Sequence, residues 1–157
     1  MERYASPPFE GGAMITVMMI AETVGHRDAL RERPADYSAV ARRTREELPY
    51  AALAAVAKRY RIPLASLASV IGLPERTLAR RKKERRLRAD ESDRLLRVAR
   101  VATSAEDVLG AQAKAGRWLQ TPNRALGGAI PLDLLNTDLG AEEVVTILDG
   151  IARGVYS

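Results

Sequence analysis

The chain contains no cysteine. Disulfides and thiolate metal sites are therefore excluded, and a reducing cytoplasm is the expected compartment. A single histidine, His26, leaves too little for His-based metal or triad chemistry. Phe and Trp occur once each. The apolar content is Ala, Leu, Val and Ile, a mixture that suits helices better than sheets. Long hydrophobic runs are also missing. The apolar stretch Met14–Val24 is well short of the roughly 20 residues that span a bilayer, and it lacks a basic leader and a clean cleavage site. It reads as a buried segment, helix or strand, and no membrane partner is expected.

The 157 residues present support one compact domain or two small ones sharing a core. Charge divides them into three. Residues 1–41 hold 4 basic and 6 acidic side chains, residues 42–88 hold 14 and 4, and residues 89–157 hold 7 and 10. A central block of net +10 between two weakly acidic flanks is an electrostatic footprint for a polyanion. Pro7-Pro8 and Gly11-Gly12 mark residues 1–13 as an expected disordered N-terminus, with Met14, Met18 or Met19 as alternative translation starts.

The hydrophobic period is helical. Leu53, Val56, Ala57 and Tyr60 follow a helix start near Leu48, with Pro49 at the first helical position. Pro63 opens a second helix carrying Leu64, Leu67, Ala68 and Ile71, which Gly72 ends. Pro74 restarts a third helix two residues later. Two short helices about a Gly-containing turn, over about residues 49–86, are a helix-turn-helix arrangement.

The third helix is polarised. With Leu78 taken as the buried anchor, Arg76, Arg80 and Lys83 lie about 160°, 200° and 140° away, on the opposite face. Thr77 and Arg81 flank that stripe. One apolar anchor with forked donors facing away is what reading guanine edges in a major groove requires. Lys82, Arg85, Arg86 and Arg88 continue the basic run towards phosphates. The expected DNA-contacting set is Arg76, Thr77, Arg80, Arg81, Lys83, Arg85 and Arg86. One short helix reads few bases, so binding is expected from a homodimer on a near-palindromic operator.

Asp90 is the expected N-cap of an acidic-fronted helix whose stripe is Leu95, Val98, Ala99 and Ala102. A separate helical piece is expected from about Ala105 to Leu119, with Trp118 as a core aromatic. Gly127-Gly128 reads as a tight turn, since no Lys-Ser/Thr follows to make a phosphate cradle. Pro131 begins a short helix through Asn136. Thr137 or Asp138 caps a last one carrying Val144, Ile147, Leu148 and Ile151, and Gly154 ends it. Asp93-Arg94 reads as a surface ion pair and not as a catalytic pair. No cofactor site and no enzyme activity are expected.

From about Leu48 onward the residues resemble a known family, the Xre/MbcA/ParS-type antitoxins. The resemblance is carried by Pro74 with Thr77-Leu78-Ala79-Arg80-Arg81-Lys82, Glu91-Ser92-Asp93-Arg94-Leu95, Ala99-Arg100-Val101 and Ala115 with Trp118-Leu119. It continues through Pro122-Asn123, Ala125-Leu126-Gly127-Gly128, Pro131-Leu132-Asp133-Leu134-Leu135, Thr137-Asp138, Gly140-Ala141 and Gly154-Val155-Tyr156. The chain departs from the pattern at Gly25-His26, where paired glycines are usual, and at Glu47, where Gly is usual.

The resemblance implies an all-α protein: a helix-turn-helix domain within residues 14–88, then a small helical toxin-binding domain over 89–157. It implies a RES-domain toxin as partner, an enzyme that consumes NAD⁺. It also places the C-terminal Gly154, Val155, Tyr156 and Ser157 near that toxin's active site, and implies repression of the operon's own promoter. The alternative is a stand-alone helix-turn-helix transcriptional regulator with a small helical sensing or dimerisation domain.

Overall fold

The computed structural model describes residues 47–155, which form seven α-helices and no strand. The expectations for residues 1–46, including the N-terminal segment and Met14–Val24, lie outside the described residues. Helix α1 spans Tyr50–Tyr60, with Pro49 at the N-cap, one position before the expected one. It buries Leu53, Val56, Ala57 and Tyr60, the stripe its spacing predicts. The helix ends on Arg61 at φ 52°, a left-handed conformation that a residue with a Cβ rarely takes. Ile62 N–H then donates to the Ala57 carbonyl at 2.9 Å, closing the turn and sending the chain into α2 (Leu64–Val70).

Gly72 supplies the turn between α2 and α3 (Glu75–Glu84), at φ +75°. The Leu73 N–H donates back to the Ala68 carbonyl at 2.8 Å, and Pro74 caps α3. After Arg85, the backbone meets its own beginning. Tyr50 N–H donates to the Arg85 carbonyl at 3.1 Å and Leu87 N–H to the Leu48 carbonyl at 2.8 Å. Antiparallel pairing at Pro49 and Arg86 thus closes the three-helix unit.

Helix α4 runs unbroken over Ala89–Leu109. This differs from the expected break near Ala105. Ala105 is fully buried on the same stripe as Leu95, Val98 and Ala102, so packing carries the helix onward until Gly110 turns it at φ 82°. The start also differs. Arg88, not Asp90, is the N-cap, and Asp90 lies in the first turn. Helix α5 follows (Gln112–Leu119), then a single 3-10 turn at Arg124–Leu126, α6 (Pro131–Leu134) and α7 (Asp138–Ala152).

Helix α4 is the axis of the molecule, packed against α1, α5 and α7. The buried cluster runs from Leu48 to Leu148 across both halves. Each large aliphatic side chain at its centre, such as Leu53, Leu95, Leu119 or Leu148, contributes about 1.5–3 kcal/mol by leaving water. Trp118 packs half-buried against that cluster. Among the described residues no helix is long and apolar enough to cross a membrane.

Two glycines permit contacts that their helices could not otherwise make. A Cβ on Gly116 of α5 would stand 2.0 Å from the Tyr60 carbonyl oxygen of α1. A Cβ on Gly140 of α7 would stand 2.0 Å from the Leu134 carbonyl oxygen of α6. Both are backbone-to-backbone approaches that only hydrogen allows.

Candidate nucleic-acid and partner interfaces

Helix α3 presents its charges as its wheel requires. Arg76, Arg80 and Lys83 are exposed, and so are Lys82, Arg85, Arg86 and Arg88 on the continuing run. Thr77 is half-buried. Arg86 leans on Glu47, NH1 to Oε2 at 2.8 Å, with both side chains largely in solvent. Such a pair adds at most about 1 kcal/mol and can open to meet a phosphate.

Arg81 departs from this set. Its side chain is only 3% exposed and is the one buried residue of α3, whereas Leu78, the expected buried anchor, is half-buried. The reason is geometric. Arg81 lies one turn after Leu78, about 60° from it on the wheel, on the inward face. Its Nε donates to Glu91 Oε2 at 2.9 Å and to Oε1 at 3.1 Å, and NH2 donates to Oε1 at 3.0 Å. NH1 donates to Glu84 Oε2 at 3.1 Å. The forked bond to Glu91 raises the Arg81 pKa above the ordinary guanidinium range, against the opposing effect of burial, so the group stays charged. Arg81 is therefore a structural anchor and faces away from the exposed stripe of Arg76, Arg80 and Lys83.

Glu91 does a second job. The Arg88 backbone N–H donates to its Oε2 at 2.9 Å, the acidic half of a capping box at the start of α4. Nearby, Leu48 N–H donates to Ser92 Oγ at 2.8 Å, and Arg94 NH1 donates to the Ile71 carbonyl at 3.3 Å. The first turns of α4 thus hold each helix of the unit once: the start of α1 through Ser92, the end of α2 through Arg94, and α3 through Glu91. Arg94 pairs with Asp90 at 3.4 Å, and Asp93 faces Arg97 at 4.0 Å, so the expected Asp93–Arg94 pair does not form.

A second polar network ties α1 to the far end of α4. Arg59 NH2 donates to both Glu106 oxygens, at 3.0 and 3.1 Å, and the Tyr60 hydroxyl donates to Glu106 Oε2 at 3.0 Å. Burial pushes the Tyr60 phenol above its ordinary range.

At the C-terminal half, Thr137 caps α7, its Oγ1 accepting from Gly140 N–H at 3.1 Å. Asp138 reaches instead to the buried Arg97, at 2.6 Å, and Arg97 NH1 donates to the Leu135 carbonyl at 3.3 Å. Sequence reasoning passed over Arg97. Periodicity gave no signal for it: Arg97 lies about 200° from Leu95 on the wheel, between Arg94 and Arg100, and is buried only because α7 covers that face.

Past α7, Gly154 takes φ +74°. Its N–H donates to the Ile151 carbonyl at 3.0 Å, and the Val155 N–H donates to the Gly150 carbonyl at 2.8 Å. This double bond pattern fixes the direction in which the chain leaves the helix. Val155 is 67% exposed, one of two large apolar side chains so placed among the described residues; the other is Leu139 at 73%. Tyr156 and Ser157 lie outside the described residues. Among the described residues no group of three or more His, Asp or Glu side chains could hold a metal ion.

Comparison with known proteins matches both halves. Residues 39–100 fit a family described as the antitoxin Xre-like helix-turn-helix domain, and residues 104–154 fit the antitoxin Xre/MbcA/ParS C-terminal toxin-binding domain. Antitoxin Xre of Yersinia enterocolitica is 38% identical over 98 residues, covering 61% of this chain and 66% of that protein. Antitoxin Xre of Pseudomonas putida is 41% identical over 83 residues, 52% of each chain. The chain thus spans between about half and two thirds of the length of these relatives. A chain of the M. tuberculosis MbcT-MbcA toxin-antitoxin complex is similar in fold, with TM-score 0.54 and 24% identity, over 69% of this chain and 96% of that one. With an Xre-like helix-turn-helix domain joined to an Xre/MbcA/ParS toxin-binding domain, the chain belongs to the Xre/MbcA/ParS antitoxins.

Proposed function

We propose that this chain is the antitoxin of a type II toxin–antitoxin module. It neutralises a RES-domain, NAD⁺-consuming toxin by binding near the toxin's active site, and it represses its own operon through α3. It acts in the cytoplasm by binding, without a cofactor and without catalysis of its own, and meets operator DNA as a homodimer. The toxin-binding family match over residues 104–154 carries the partner reading. The solved relative, found in a toxin–antitoxin complex, supports it.

The exposed stripe of Arg76, Arg80 and Lys83 on a helix-turn-helix unit supports DNA reading. Arg85 and Arg86 extend it towards phosphates, and Thr77 sits at its edge. The exposed Val155, aimed by Gly154, supports a terminal contact that would continue through Tyr156 and Ser157. An apolar side chain followed by a Tyr can fill a narrow slot and place a hydroxyl at its floor.

The test is co-expression. The open reading frame adjacent to this chain's gene is expressed in bacteria with and without the chain, and growth and cellular NAD⁺ are followed. Collapse of NAD⁺ without the chain and recovery with it is the expected result. Growth arrest that the chain rescues without any change in NAD⁺ would refute the RES assignment and keep the antitoxin role. No effect in either case would refute both.

A further inference from the structure

Of the ten residues of α3, Arg81 alone is buried. The helix that presents Arg76, Arg80 and Lys83 is pinned at its end by the Tyr50 N–H bond to the Arg85 carbonyl, and along its length rests on the half-buried Leu78 and one buried guanidinium. That guanidinium is gripped in a forked arrangement by Glu91, which is itself 6% exposed and lies beyond α1–α3, in the first turn of α4. A forked Arg–carboxylate pair fixes orientation as well as distance, because both groups are planar. Few apolar side chains are buried along α3, and this pair is its buried polar tie to α4.

We propose that Glu91 is the positioning residue of the DNA-reading helix: it aims Arg80 and Arg76 by holding Arg81, although it touches no DNA itself. The inference rests on the DNA-reading role proposed for α3. The capping bond from Arg88 N–H anchors Glu91 in turn, so the aim of α3 is referred to the axis of α4. Loss of the carboxylate charge leaves α3 attached but loosely oriented. Contacts to base edges, which need the angle, are then lost, whereas contacts to phosphates, which need only the charge, remain.

The experiment is a double-mutant cycle on the full chain, comparing Arg80→Ala, Glu91→Gln and the double variant. The probe is a duplex of the DNA upstream of the chain's own gene, set against a shuffled duplex of the same length and composition. Far-UV circular dichroism at the assay temperature confirms that each variant is folded. In the parent, Arg80→Ala weakens binding to the upstream duplex about tenfold or more, the worth of one good base contact. Glu91→Gln weakens the same binding by a similar factor and leaves the shuffled duplex within about twofold. In the Glu91→Gln background, Arg80→Ala costs less than about twofold, because an arginine that is no longer aimed has little to lose.

A merely stabilising Glu91 would leave the Arg80→Ala penalty unchanged, and an equal penalty in both backgrounds overturns the proposal. Parent-like affinity of Glu91→Gln overturns it too. If Arg80→Ala is neutral in the parent chain, the DNA-reading role of α3 fails, and the proposal with it. Should Glu91→Gln prove unfolded, Arg81→Lys, which keeps the buried cation and removes the fork, takes its place with the same expected pattern.

Discussion

Gly116→Ala is the sharpest test of the packing described above, because helix propensity and packing predict opposite signs. Gly116 lies inside α5, where Ala is favoured over Gly by about 1 kcal/mol, so an unconstrained helix would gain. Here the new Cβ would stand 2.0 Å from the Tyr60 carbonyl oxygen, 2.9 Å from its carbonyl carbon and 3.3 Å from its Cα. All three are backbone atoms of α1, so no side chain can swing aside. The helices must part by more than an ångström to reach ordinary contact at 3.4 Å. Parting them loosens the packing of Ala115, Leu119 and Tyr60 and strains the Gln120 Nε2 bond to the Arg61 carbonyl, now 3.3 Å.

Overpacking of this kind costs about 1–3 kcal/mol, and more where neither wall can yield. Both walls here are backbone, so a cost of about 3 kcal/mol is expected, leaving a net loss of about 2 kcal/mol after the propensity gain and a fall in Tm of roughly 4–8 °C for a chain of this length. Urea and thermal denaturation followed by far-UV circular dichroism measure it. The exposed neighbour Lys114→Ala serves as a control expected to stay within about 0.5 kcal/mol. A Gly116→Ala chain as stable as the parent would refute the close approach of α1 and α5.

Other outcomes follow from the same structure. Arg81→Met, which strips Glu91 of its buried partner, is expected to destabilise the fold by about 3–5 kcal/mol in urea titration. Tyr60 has a raised pKa, so its contribution is intact below about pH 10 and is lost as pH rises through the folded-state value. Tyr60→Phe should therefore flatten the alkaline limb of a stability-versus-pH curve, and an unchanged limb would place the titration elsewhere. Val155→Asp should leave stability within about 0.5 kcal/mol, since the side chain is exposed, yet weaken toxin inhibition in the co-expression assay. Full inhibition by that variant would remove the tail from the interface. Arg86→Ala should weaken binding alike on all duplexes, in contrast to Arg80→Ala, as gel-shift titration would show.

Much of the fold was legible in the chain because its stripes are clean. Leu53, Val56, Ala57 and Tyr60 predict α1, and all are buried. Gly72 and Pro74 mark the turn between α2 and α3, Gly72 because it takes φ +75° without strain and Pro74 because its fixed φ suits a helix start but not a helix interior. The misreadings come where a tertiary partner, and not the local pattern, decides the outcome. Arg81 sits one turn from Leu78 and therefore inward, but its partner Glu91 is ten residues away in a different helix, beyond the reach of periodicity. Asp90 is a good N-cap by type, yet Glu91 at the third helical position settles the register of α4 by bonding back to Arg88 N–H. Gly116 carries no local signal, since the need for hydrogen there comes from Tyr60 across a tertiary contact.

The unbroken run of α4 also constrains how such chains can be recombined. The two family matches meet inside it, between Arg100 and Ser104, with no flexible linker at the join. Its residues advance about 100° and 1.5 Å each, so the two halves are keyed to one another like gears on a shaft. A chimera joined there keeps its Glu91 clamp and its α7 packing in step only if the residue count of the helix is preserved. A one-residue slip would turn every downstream contact of α4 away from its partner.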